Sequence, residues 1–77
     1  MDKLYINIRN RRLELAMSQE ELAHKVGYTD RSSIAKIETG KVDISVGMLR
    51  KIAEALETDP LTLLKYMWEE DSDAVTK

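Results

Sequence analysis

SQEELAHKVGYTDRSSIAKIETG, running from Ser18 to Gly40, is the stretch on which the reading of this chain turns. Ser18 with Glu21 three residues on is a capping box, in which hydroxyl and carboxylate satisfy the backbone N–H groups that a helix start leaves without partners. Leu22, Ala23 and Val26 follow at helical spacing and predict a helix over residues 19–26. Gly27 ends it, because glycine takes up the left-handed backbone of a helix terminus without steric cost. Asp30 is the expected cap of a second short helix, whose inner residues are Ile34 and Ile37 and whose stop is Gly40. Arg31, Ser32, Ala35 and Lys36 remain for its outer surface. The segment reads as two short helices joined by a tight turn, apolar within and partly basic without.

Outward from this segment the pattern stays helical. Leu4, Ile8 and Leu15, with Tyr5, recur at spacings near three to four and predict a first helix over about 4–15, with Arg9, Arg11 and Glu14 facing out and Ala16-Met17 ending it. Ser45 opens a fourth helix with Met48, Leu49, Ile52, Ala53 and Leu56 inward. Thr58-Asp59-Pro60 ends that helix and opens a fifth with proline at its first position, over about 60–69, which offers Leu61, Leu64, Met67 and Trp68. No alternating run is long enough for a strand, so the chain reads as all-α, a compact five-helix domain. Residues 1–69 are expected to form that single domain, and 70–77 an acidic, solvated tail that frays.

Seventy-seven residues suit one core, since chains this short bury only about 60% of their unfolded surface. With no cysteine there is neither a disulfide framework nor a thiolate zinc site, and stability must come from packed aliphatic side chains. No stretch approaches the roughly 20 apolar residues that cross a bilayer, and the reading is a soluble, cytoplasmic protein without a membrane partner. The formal charge of −2 argues against nucleic acid as a partner. Its distribution answers the objection: residues 1–41 carry eight Lys and Arg against six acids, whereas 42–77 carry four against eight. The basic end holds the helix-turn-helix.

Ile8, Arg12, Ser18-Gln19-Glu20-Glu21-Leu22-Ala23, Val26-Gly27, Ser33-Ile34, Lys36-Ile37-Glu38, Gly40-Lys41, Leu49, Ile52-Ala53-Glu54-Ala55-Leu56 and Asp59-Pro60-Leu61 together resemble the phage repressor and Cro family of helix-turn-helix proteins, over roughly residues 6–66. The resemblance implies a compact five-helix repressor-like domain that inserts its third helix in the major groove, commonly as a dimer on a palindromic operator. Two positions depart from the pattern. The stretch Gly27-Tyr28-Thr29-Asp30-Arg31 is one residue longer than the turn of the most compact phage repressors, which leaves the register of the third helix open by one position, and Glu57 stands where a glycine often follows the fourth helix.

A helix in the major groove reads bases from its N-terminal end, which nominates Arg31, Ser32 and, one turn on, Lys36. Arg31 is the candidate for a guanine, since guanidinium donates twice to O6 and N7 and such a pair discriminates by about 1–3 kcal/mol; its bland alternative is a phosphate contact or a solvated helix start. Ser33 has two equal readings, phosphate contact and helix cap, and Tyr28 likewise has two, stacking on the DNA backbone and packing over the turn. The resemblance makes Gln19 a phosphate contact at the start of the second helix, its alternative being a solvated first-turn residue; Lys41, just after Gly40, is placed to touch the backbone on the other side, where Thr39 offers a hydroxyl or main-chain bond. It also implies that Arg12 pairs with Glu38 in a partly buried salt bridge that orients the reading helix. Tyr66, Met67 and Trp68 either close the core or form a dimer patch.

The expected function is sequence-specific binding of double-stranded DNA by a small dimeric repressor, nucleoid-associated when bound. The alternative is an antitoxin or adapter that keeps this fold and masks a protein partner, a reading the acidic second half favours. Catalysis has no equipment here, with a single histidine, no phosphate-binding glycine loop and no metal-spaced ligand cluster, and no cofactor or metal is expected.

Overall fold

The computed structural model describes residues 2–64, arranged as α1 (Asp2–Glu14), α2 (Gln19–Lys25), α3 (Ser32–Glu38), α4 (Val46–Ala55) and the opening of a fifth helix over 60–64. The fold is all-α, as the periodicity requires. α2 packs on both α3 and α4, and α1 packs on α3, so the third helix is gripped from two sides. Leu4, Ile8, Leu22, Ile34, Ile37, Ile52 and Leu56 are sealed at the centre. Tyr66, Met67 and Trp68, and the tail 70–77, lie outside the described residues.

α2, α4 and the fifth helix each start on a side-chain cap. Ser18 Oγ accepts from Glu21 N at 3.0 Å while Glu21 Oε1 accepts from Ser18 N at 2.9 Å. Ser45 Oγ accepts from Met48 N, and Asp59 Oδ1 from Thr62 N, behind Pro60. These caps put the boundaries where serine, aspartate and proline predicted them.

The four helix ends are built alike. In each, one residue donates its N–H to the carbonyl five positions back and the residue before it to the carbonyl three positions back, the Schellman pattern that satisfies the orphan carbonyls. It needs one residue at positive φ: Ala16 at 55°, Gly27 at 93°, Gly40 at 74° and Glu57 at 57°. Gly27 and Gly40 were legible as stops. Ala16 and Glu57 take up the same conformation against their preference, and Glu57 does so at the position where the family pattern has glycine.

Several inward and outward assignments change. α1 runs two residues earlier than the apolar pattern indicated, and α2 ends one residue earlier, with Val26 as its C-cap. In the fifth helix Leu61, expected inside, is 71% exposed, and Leu63 takes its place at 2%. The cap at Asp59 sets the helix phase, and that phase turns Leu63 rather than Leu61 toward the core. Arg11, assigned outward, instead reaches across to α4, its Nε donating to the Leu56 carbonyl at 2.9 Å. There it neutralises the electronegative end of the helix. Asn7, buried four residues earlier, donates its amide to the Leu63 carbonyl and ties α1 to the fifth helix.

Candidate nucleic-acid interface

Ile34 and Ile37 bury one side of α3 completely, and this leaves Arg31, Ser32, Lys36 and Thr39 exposed on the other, with Ser33 and Ala35 half-buried at its flanks. Helical phase alone produces the split, since residues three apart share a face. Arg31 and Lys36, with Lys41 just beyond Gly40, are exposed cations that form no ion pair among the described residues.

The entry to α3 is defined by Asp30. Arg31 already has helical dihedrals and its carbonyl accepts from Ala35 N at 3.0 Å, so Asp30 is in capping position. Its Oδ1 accepts from both the backbone N–H and the hydroxyl of Ser32. These two bonds, the hydroxyl's first, hold the Asp30 carboxyl below its ordinary value. The hydrogen-bonded ladder thus fixes the register left open by the long turn.

At the other end α3 is braced. Arg12 Nε donates to Glu38 Oε2 at 2.7 Å and Nη2 to Oε1 at 3.1 Å, a fork-on-fork pair whose side chains are 8% and 3% exposed. Arg12 Nη1 donates to the Met17 carbonyl at 2.8 Å. Gln19 completes the group, its Nε2 donating to Glu38 Oε1 at 3.1 Å. The carboxylate therefore accepts from α1 and α2 together while sitting on α3, which locks the angle between the two helices of the motif.

The remaining candidates separate by what their polar atoms already do. The Ser32 hydroxyl hydrogen is committed to Asp30 and that of Thr39 to the Lys36 carbonyl at 3.0 Å, so neither is spare for a phosphate. Gln19 has one amide hydrogen left after Glu38. The Tyr28 ring packs against the core, and its backbone N–H closes α2 on the Ala23 carbonyl at 2.8 Å. Sequence reasoning missed the Gln19–Glu38 bond, which no spacing rule signals because the two residues belong to different helices. It also left Asp30 as a cap and nothing more. Among the described residues no helix is long and apolar enough to cross a membrane, and no cluster of His, Cys, Asp and Glu is fit to hold a metal.

Two short helices locked at a fixed angle, the second with a free cationic surface, define a helix-turn-helix. A family model described by that term matches residues 8–63, and the chain belongs to the helix-turn-helix family, of the phage repressor and Cro type, a family of DNA-binding transcriptional regulators. An "uncharacterized HTH-type transcriptional regulator" of Methanothermobacter thermautotrophicus is 45% identical over 49 residues, which are 64% of this chain and 70% of that protein. The wild-type restriction-modification controller protein C.Esp1396I has the same fold, with a TM-score of 0.78 and 29% identity over 94% of this chain and 92% of that one. A mutant of the same controller protein gives 0.79 at the same identity and coverage.

Proposed function

We propose that the chain is a sequence-specific, double-stranded DNA-binding repressor that acts in the cytoplasm as a homodimer, each protomer laying α3 in the major groove of one half of a palindromic operator. The observation that carries this reading is the outer surface of α3. Its exposed cations form no ion pair among the described residues, and the helix beneath them is clamped by the buried Arg12–Glu38 pair. Exposed cations not tied in ion pairs are available to an external anion, and a rigid helix presents them at low ordering cost.

In this reading Arg31 donates to a guanine edge, Lys36 and Lys41 neutralise phosphates, and Gln19 offers its remaining amide hydrogen to the backbone. Dimerisation sets the two α3 helices about 34–36 Å apart, one turn of duplex. The likeness to controller proteins of restriction-modification systems supports a regulatory role.

Selection of bound sequences from a random duplex pool, with the mass from gel filtration, tests the proposal. A two-fold symmetric motif is expected, together with a dimer mass. Arg31→Ala relaxes one position in each half-site, whereas Lys41→Ala weakens all sequences about equally and flattens the salt dependence. Enrichment of no sequence overturns it, and a monomer indifferent to DNA points to the adapter alternative.

A further inference from the structure

Three arginines stand close together on α1, and two of them are spent inside the molecule. Arg11 donates to the Leu56 carbonyl and to Glu14, and Arg12 to Glu38 and the Met17 carbonyl. The Arg9 side chain is exposed and forms no hydrogen bond or ion pair among the described residues. Its position is fixed by its neighbours. Tyr5 lies against the end of α3, since a Cβ on Gly40 would stand 3.2 Å from its ring, and Arg12 grips Glu38 in the last turn of the same helix. Arg9 is four residues from Tyr5 and three from Arg12, so its side chain rises between theirs on one face of α1. The sealed Leu4 and Ile8 border that row on the core side, and Arg9 is on the solvent side. It therefore flanks the last turn of α3, where the exposed Lys41 follows Gly40.

Resting on the DNA-binding reading above, we propose that Arg9 binds a phosphate of the duplex backbone, so that the interface runs beyond the two helices of the motif onto α1. Lys41 is one residue past Gly40 and Arg9 one turn past Tyr5, so the two cations attend the same contact and reach phosphates of the same strand. The chemistry suits the residue. A guanidinium presents paired N–H donors to two phosphate oxygens at once, whereas an ammonium meets phosphate as a point charge. The Arg12–Glu38 pair ties α1 to α3, so Arg9 is held in register with the reading helix. A phosphate contact there carries no base information, and it sets how α3 sits along the groove.

Arg9→Gln removes the charge from an exposed site and leaves every buried contact in place. Binding of the full chain to its selected operator and to one unrelated duplex is measured across salt concentrations, together with thermal midpoints and the sequences enriched from a random duplex pool. One phosphate contact contributes about 0.9 to the slope of log affinity against log salt, and Arg9→Gln is expected to lose that amount. At about 0.15 M salt this is roughly a fivefold loss, equal on both duplexes and vanishing near about 1 M. The enriched motif and the thermal midpoint stay as in the wild type. Arg9→Lys, which keeps the charge, is expected to recover most of the slope. Lys51→Gln removes one charge on α4, from the groove beside His24, and is expected to change neither slope nor affinity. If Arg9→Gln keeps the wild-type slope, or Lys51→Gln loses as much, the contact is refuted and the DNA-binding reading stands. If the wild type binds no duplex, both fall.

Discussion

Removing Glu38 alone is expected to cost more than removing Glu38 and Arg12 together. Glu38→Ala leaves the Arg12 guanidinium at 8% exposure with a single remaining acceptor, the Met17 carbonyl, and deprives the Gln19 amide of its partner. Breaking a buried pair from one side costs about 3–5 kcal/mol, because the surviving charge can neither hydrate nor pair. A chain of this length has about 4–12 kcal/mol in all, so the variant gives up about a quarter of its stability or more. At about 4–8 °C per kcal/mol the midpoint drops by at least roughly 12 °C. In Arg12→Met/Glu38→Leu the desolvation penalty disappears with the charges, and the loss is expected to stay within about 1 kcal/mol of wild type. Urea unfolding followed by far-ultraviolet circular dichroism measures both. If Glu38→Ala costs less than about 1 kcal/mol, as exposed pairs do, or if the double variant is the worse of the two, the pair is not the buried brace described here.

Other outcomes follow from the helix ends and caps. Gly40→Ala is expected to destabilise by about 2–4 kcal/mol, since its Cβ would stand 3.2 Å from the buried Tyr5 ring in addition to the left-handed strain, whereas Gly27→Ala, with no atom within 4 Å, pays about 1–2 kcal/mol for strain alone. Urea midpoints of the two variants rank them. Glu57→Gly and Ala16→Gly relieve positive φ and are expected to stabilise by about 0.5–1 kcal/mol each, read as raised thermal midpoints. The Ser18 backbone bond, then the Ser18 hydroxyl, hold the Glu21 carboxyl below its ordinary value of 4.5. A depressed folded value means that the contribution is present above 4.5 and lost as the pH falls through the lower folded value. Glu21→Gln keeps the capping box without a titrating group, so its thermal midpoint is expected to fall less steeply than wild type on acidification below that point.

Much of this molecule is written in short-range rules. Ser18, Ser45 and Asp59 announce helix starts, Gly27 and Gly40 announce ends, and the spacing of Leu22, Ile34, Ile37 and Ile52 names the core, because capping and helical phase depend on residues within about four positions of one another. Arg31 and Lys36 stand out as reading candidates for the same reason: once Ile34 and Ile37 face inward, the opposite face is fixed.

Tertiary structure decided what depends on groups distant along the chain. Arg11 and Asn7 look like ordinary polar positions until the Leu56 and Leu63 carbonyls arrive beside them, 45 and 56 residues away. Leu61 and Leu63 exchange burial because the Asp59 cap sets the phase of their helix, and Ala16 and Glu57 adopt a left-handed backbone that neither residue favours, held there by the packing of the helices they end. The union of Gln19 with Glu38 came last. By itself the sequence determined the helices and the inner and outer faces of the motif, since both are local. Only the folded chain determined which polar atoms are already paired and which remain for DNA, since pairing depends on where three helices meet.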